Sequence, residues 1–276
     1  MRTYLLDDIE FKWLALLLLA VGAAGALWYF RDDINPPAEP SAVIDPAPAG
    51  EKLAPREPLH PIEPLSLTPG AGELIELPPL DESDSYFALA LVTVFGNGLE
   101  DLLDDEGLID KSVATVDNLT RSHVAEKIRP VGRIQGSFMV AAAGANGPYY
   151  LSPDNYGRYD FLVNMLTGAN LDELAATYRR FYPLMQEAFT RLGYPDAYFN
   201  DRLIAVIDHL LTTPEPDEPV QLVRPHVLYE FADPALEALS SGQKLLLRMG
   251  SDNAARVKSV LEELRLRIAQ SVENNE

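Results

Sequence analysis

The apolar and polar positions of residues 170–213 repeat at the helical period and predict two consecutive helices. In the first, large apolar side chains recur every three or four residues and form one stripe about 100° wide. Asn170 and Glu173 match a capping box at its start, and Pro183 predicts a kink. The turn follows at residues 193–195. We therefore expect this helical hairpin to organise the domain, with the first stripe formed by Leu171, Leu174, Tyr178, Phe181, Tyr182, Met185, Phe189 and Leu192.

The second helix of the hairpin begins near Asn200, which the pattern predicts as its N-cap. Its polar positions form two further stripes. Asp201 and Asp208 share one of them, and Arg202 and His209 share the other. The apolar positions, which predict the buried face, are Leu203, Ile204, Val206, Ile207, Leu210 and Leu211.

Helical periodicity covers most of the chain after Asp81, with two short extended regions. Residues 137–140 and 149–151 flank a turn-rich segment and predict a small hairpin, and residues 220–231 form the second extended region. The predicted fold is mainly α: a helical domain over residues 81–270 with a small β element, followed by a polar tail at 271–276.

Residues 13–30 form an uncharged apolar run that predicts a single-pass transmembrane helix. At 1.5 Å per residue the run is long enough, with its flanks, to cross a bilayer core of roughly 30 Å. A cleaved signal peptide is the alternative, because Ala24-Gly25-Ala26 resembles a cleavage site. The acidic residues before the run disfavour it. We expect residues 1–12 in the cytoplasm and the bulk of the chain on the other side of the membrane.

Residues 31–80 contain twelve prolines and almost no apolar periodicity, which predicts a disordered, proline-rich linker. Fully extended as polyproline, residues 35–80 would reach about 140 Å. The same composition also suits a ligand for a proline-recognising groove, but the sequence does not name a partner that carries one.

Composition excludes several classes of function. The chain has 42 acidic and 22 basic residues, and its net charge of -20 repels phosphate backbones, so we expect no nucleic-acid partner. Without cysteine there are no disulfides, thiol nucleophiles or thiolate metal sites. The acidic cluster at residues 100–106 lacks the spacing of a calcium loop and is typical of a solvated helix end. We predict neither a metal site nor a cofactor.

Two polar clusters are the candidate binding residues: Arg158, Tyr159 and Asp160 at one helix start, and Asp201, Arg202, Asp208 and His209 on the second helix of the hairpin. In the second cluster, the Arg202 guanidinium suits an anion clamp and the His209 imidazole a general acid or base. Helix capping and ion pairing are the alternative explanation of both clusters, and the one that we favour. No nucleophile, phosphate-loop or dinucleotide signature occurs, which favours binding over catalysis.

Alanine substitutions separate these interpretations. We expect Asp201→Ala to cost about 1 kcal/mol, because a carboxylate at a helix N-terminus and a pairing with Arg158 or Arg202 would be lost. His209 points about 160° away from the centre of the apolar stripe at 100° per residue, so His209→Ala should be nearly neutral for stability.

Several motifs in combination resemble a bacterial family known as domain of unknown function 3014. The resemblance covers roughly residues 75–270 and implies an envelope protein anchored in the bacterial inner membrane with its domain in the periplasm. It implies no activity. The function we expect is a tethered interaction or scaffold module that meets an envelope protein or wall component, and the alternative is an envelope hydrolase that uses the Asp201 to His209 face. The motifs are YPLMQEA at 182–188, LGYP at 192–195, FNDRL at 199–203, IDHLL at 207–211, GQK at 242–244 and RMG at 248–250.

Overall fold

The computed structural model describes residues 57–62, 76–104, 106–131, 138–142, 147–216, 219–226 and 228–269. The predicted transmembrane helix at 13–30, the N-terminal residues 1–12 and the tail at 271–276 lie outside the described residues, as does most of the predicted linker. Across the described ranges, no helix has the length and apolar character needed to cross a bilayer.

The described part of the domain is mainly α-helical, as the periodicity predicts. Short 3-10 segments connect several of the helices. In chain order the α-helices are α1 (Asp84–Phe95), α2 (Leu108–Asn118), α3 (Gly157–Thr167), α4 (Leu171–Arg191), α5 (Phe199–Leu211), α6 (Pro234–Glu237), α7 (Ser241–Arg248) and α8 (Ser251–Ala269).

Helices α4 and α5 are the predicted hairpin. Asn170 caps α4 as predicted, because its side chain accepts hydrogen bonds from the amides of Asp172 and Glu173. Pro183 lies inside α4, which continues past it to Arg191. The stripe extends less far than expected, since Leu192 is 43% exposed beyond the helix end.

The hairpin lies at the centre of the main core. Helix α4 packs against α2 and α8, α5 packs against the same two helices, and α3 covers another side of α8. The apolar face of α5 is buried from Leu203 to Leu210. Phe95, Phe181 and Phe199 are completely buried and fill the space between the helices. Burial of large aromatic side chains removes much apolar surface from water, so this core is the main source of stability.

The two predicted extended regions join in one antiparallel sheet. Strand β1 (Val140–Ala142) pairs with β2 (Tyr149–Leu151), β2 with β3 (Gln221–Val223), and β3 with β4 (Glu230–Phe231). The inward side chains of this sheet pack on Leu247 of α7 and form a second, smaller apolar cluster.

Residues 57–62 lie against the helical domain, although their composition places them in the linker. They contact the start of α5, and Ile62 packs against the main core. Part of the predicted linker is therefore attached to the domain.

Candidate functional site

A groove of about 800 Å³ opens between the end of α2, the α4–α5 turn and the start of α5. The turn takes this shape because Gly193 has φ of 107°, a backbone conformation that glycine adopts most easily. Tyr194 then folds back and stacks on Phe189 at 4.6 Å between ring centroids. The residues that line the groove are Glu57, Leu59, Asp117, Arg121, Phe189, Tyr194, Asp196, Ala197, Tyr198, Asp201 and Arg202.

The buried carboxylate of Asp117 holds one side of the groove together. Its side chain is 6% exposed and accepts hydrogen bonds from Arg202 Nε at 2.8 Å and Arg121 Nη2 at 2.8 Å. The Tyr194 hydroxyl donates a third at 3.2 Å. Three donors from three separate segments thus converge on one carboxylate, which satisfies a charge that would otherwise be costly to bury.

Arg202 joins α5 to the end of α2. Besides its bond to the Asp117 side chain, its Nη2 donates to the Asp117 carbonyl at 2.6 Å and to the Thr120 hydroxyl at 2.7 Å. The Arg202 side chain is 28% exposed. Most of the N–H groups of Arg202 are therefore bonded within the domain. To clamp an anion as well, the guanidinium would have to share these N–H groups between the anion and its present partners.

Asp201 and Asn200 bind the main chain of the linker segment. The Asp201 carboxylate accepts the Leu59 amide at 3.0 Å and the His60 amide at 2.8 Å. The Asn200 side chain donates to the His60 carbonyl at 2.8 Å. Asn200 is itself held in place by the Tyr178 hydroxyl, which donates to its amide oxygen at 3.0 Å.

The prediction that Asn200 caps α5 is wrong. The N-cap is Tyr198, and Asn200 lies inside the helix with no exposed surface. Gln186 of α4 provides the cap from another helix, because its side-chain oxygen accepts the Phe199 amide at 2.8 Å. Asn200 is free to bind the linker segment as a result.

Burial sets the ionisation of the tyrosines behind this site. Tyr182 donates to Gln186, and burial raises the pKa of the Tyr182 phenol to about 12. Burial also raises the pKa of Tyr178 well above its ordinary value of 10.0. Both hydroxyls therefore stay protonated at neutral pH and act as hydrogen-bond donors.

Of the four predicted site residues on α5, Asp201 and Arg202 line the groove, and the other two make contacts elsewhere. Asp208 forms a bidentate ion pair with Arg265 of α8, with one N–O distance of 3.0 Å. His209 Nε2 lies 2.9 Å from the hydroxyl of Ser240, the N-cap of α7. Burial, and to a smaller degree the Arg202 charge, lower the pKa of His209.

A histidine beside a serine hydroxyl has the geometry of a general base and a nucleophile. The surroundings of Ser240 indicate a structural role instead. Its hydroxyl accepts the Gln243 amide at 3.2 Å in a capping box, and the residue is 7% exposed. The bond to His209 consequently fixes the end of α5 against the start of α7.

The other predicted cluster joins α3 to its neighbours. Arg158 donates to the Asn155 side chain at 3.3 Å, and Asp160 accepts from the Asn253 side chain of α8 at 3.0 Å. Tyr159 is buried, and burial raises the pKa of its phenol. These hydrogen bonds hold the start of α3 against the segment before it and against α8.

Asp117, Tyr194 and Asn200 are site residues that the sequence reasoning missed. A signal existed for Asp117, because it stands four residues after Val113 on the buried face of α2. A carboxylate on an apolar face requires buried partners. The described residues contain no group of three or more potential ligands placed to hold a metal ion.

Comparison with known proteins gives one match, at the level of a family. No curated protein and no solved structure shows significant similarity to the chain. The family model described as "Protein of unknown function (DUF3014)" matches residues 108–265. This range is more than half of the chain and runs from the start of α2 into α8, so it includes the groove residues of α2, α4 and α5. The chain therefore belongs to DUF3014, a family of proteins of unknown function.

Proposed function

We propose that the protein is a membrane-tethered interaction module of the bacterial cell envelope, and that its helical domain binds a partner protein at the groove. The observation that carries this proposal is the groove itself. Its volume of about 800 Å³ is large enough for several residues of a partner. Its walls present tyrosine and arginine side chains, the residue types that contribute most to protein–protein binding.

The polar groups of the groove favour binding over chemistry. Arg121 and Arg202 both donate to the Asp117 carboxylate, which partly offsets their charges and ties the groove walls together. The alternative of an envelope hydrolase requires Asp201, Arg202, Asp208 and His209 to act on one substrate. Their separate contacts with the linker segment, α2, α8 and α7 give that alternative no support.

The charge of the groove indicates which partners it suits. Glu57, Asp196 and Asp201 add three carboxylates to its rim, and the whole chain carries a net charge of -20. A partner segment that is neutral or basic at the contact would approach faster than an acidic one.

The proposed location in the cell envelope rests on the apolar run at residues 13–30 and on the proline-rich linker that follows it. The apolar run would anchor the chain in the inner membrane, with residues 1–12 in the cytoplasm and the domain in the periplasm. A periplasm-dependent reporter fused after Glu276 should be active. Activity of a cytoplasm-dependent reporter alone at that position would overturn the proposed topology.

Photo-crosslinking in intact cells tests the groove. A photoreactive residue at Tyr198, inside the groove, should form a discrete adduct with a partner. The same residue at Leu266, which is 52% exposed on α8 and absent from the groove lining, is the matched control. The adduct should disappear when Ala197→Arg fills the groove. Identical adducts at 198 and 266, or an adduct that survives Ala197→Arg, would contradict the proposal.

A further inference from the structure

The domain holds residues 57–62 through their main chain. Two successive amides, from Leu59 and His60, donate to one carboxylate, and the His60 carbonyl accepts from Asn200. The Leu59 side chain is 81% exposed. The hydrogen bonds therefore recognise the main chain of the segment, which bends at Leu59 and His60, rather than the side chain of Leu59.

The sequence of the segment restricts its backbone conformation before it binds. Pro58 and Pro61 stand on either side of the two bonded amides. Each proline restricts its own φ and biases the residue before it towards an extended conformation. A segment whose backbone is already restricted loses less conformational entropy when it binds. Ile62 adds an apolar contact with the core.

We infer that the start of α5 is a peptide-binding site for a short, proline-flanked segment that it binds through the main chain, and that residues 57–62 are its ligand within the same chain. This inference rests on the proposed function and deepens it by naming the class of ligand. Asn200 and Asp201 bind the main chain of the peptide through hydrogen bonds. The docked segment also contributes Glu57 and Leu59 to the groove, so the peptide site and the groove are continuous.

Because the segment is covalently attached, it binds at an effective concentration on the order of millimolar. A free peptide of the same sequence must compete with it. The intact chain should therefore bind such a peptide at least about tenfold more weakly than a chain whose own segment cannot dock.

A substitution pair within the segment isolates the backbone contact. Leu59→Pro removes the amide that donates to Asp201, whereas Leu59→Ala keeps that amide and removes only an exposed side chain. The chain has no cysteine, so spin labels at Glu57→Cys and Asp196→Cys would be unique in the full-length protein. Both positions line the groove.

The distance distribution between the two labels should be narrow in the parent and with Leu59→Ala. It should become broad and longer with Leu59→Pro. A broad distribution in the parent, or equal distributions in the Leu59→Pro and Leu59→Ala proteins, would overturn the inference.

Peptide binding supplies the second test. A fluorescent synthetic peptide of residues 55–64 should bind the full-length Leu59→Pro protein at least about tenfold more tightly than the parent. Adding Asp201→Asn to Leu59→Pro should weaken that binding by about tenfold or more, because one charged acceptor is lost. Equal affinities for the parent and Leu59→Pro proteins, or an Asp201→Asn protein that binds as well, would sink the inference. These outcomes do not depend on a partner adduct at Tyr198, so the two proposals can fail separately.

Discussion

At the scale of single residues, Asp117 shows how one buried carboxylate shapes the groove. It accepts hydrogen bonds from Arg121, Arg202 and Tyr194, which belong to three different segments. Asp117→Asn leaves two arginines without their counter-charge. We expect the free energy of unfolding to fall by about 3 kcal/mol, the lower end of the range for a broken buried pair, because Arg121 is 55% exposed.

Urea denaturation of the full-length protein in detergent measures this change. The matched control is Glu187→Gln, which removes an exposed ion pair with Arg191 and should shift the free energy by less than about 0.5 kcal/mol. Equal effects of the two substitutions would show that burial does not strengthen the Asp117 network.

His209 makes a contact that its position on the helix did not predict. It lies off the apolar stripe of α5, but its Nε2 lies 2.9 Å from the hydroxyl of Ser240, the N-cap of α7. We now expect His209→Ala to cost about 1 kcal/mol at pH 7.5 rather than nothing, because the hydrogen bond is lost.

The lowered pKa of His209 also predicts a pH dependence. The folded protein binds this proton more weakly than the unfolded chain does, since burial disfavours the charged imidazole. The stabilisation is therefore complete above the ordinary pKa of 6.5 and is lost as the pH falls through the lowered folded value. His209→Gln should flatten the dependence of the urea midpoint on pH below about 7. If the urea midpoint of the His209→Gln protein depends on pH as steeply as that of the parent, the pH dependence does not come from His209.

At the scale of elements, the sequence pattern predicted a helix cap correctly where the cap comes from a residue at the start of the same helix. It failed where the cap comes from a residue of another helix. The apolar periods of α4 and α5 and the Asn170 cap are local, and the structure confirms them. The cap of α5 comes from Gln186, thirteen residues before Phe199. No capping pattern around Asn200 contains that information, because the donor and acceptor meet only after the hairpin has closed.

Close packing of α7 gives a prediction at the same scale. Gly242 allows the start of α7 to approach α5 and the end of α2, since a Cβ there would lie 2.6 Å from Leu210 Cδ2 and 3.1 Å from the Leu119 carbonyl oxygen. Gly242→Ala should therefore destabilise the protein by about 1–3 kcal/mol.

Gly157→Ala provides the control for helix propensity. Gly157 lies in the first turn of α3, where an added Cβ would have a single neighbouring atom, at 3.7 Å. This substitution should raise stability by about 0.4–1 kcal/mol by restricting the unfolded chain. Thermal melting of both variants measures the difference, and a neutral Gly242→Ala protein would show that α7 shifts without cost.

At the scale of the whole molecule, the sequence predicted the helical domain and missed the contact that completes the site. Asp201 and Arg202 were correctly placed on one helix, but the amides bound by Asp201 lie about 140 residues earlier in the chain. Composition assigned those residues to a spacer because prolines dominate it. A main-chain contact between residues about 140 positions apart produces no periodic or compositional signal in the sequence.

Docking of residues 57–62 shortens the proposed tether between membrane and domain. With the segment docked, residues 31–56 connect them and would reach about 80 Å as extended polyproline. With the segment released, residues 31–75 would reach about 140 Å. We therefore expect Leu59→Pro to move the domain away from the bilayer.

Energy transfer measures this distance in the full-length protein reconstituted in nanodiscs. A donor dye at Asp196→Cys should transfer less energy to acceptor-labelled lipid head groups in the Leu59→Pro protein than in the parent, because the longer tether lets the domain move farther from the surface. Leu59→Ala should match the parent, since it keeps the amide that binds Asp201. If Leu59→Pro and Leu59→Ala give the same transfer, the docked segment does not set the height of the domain.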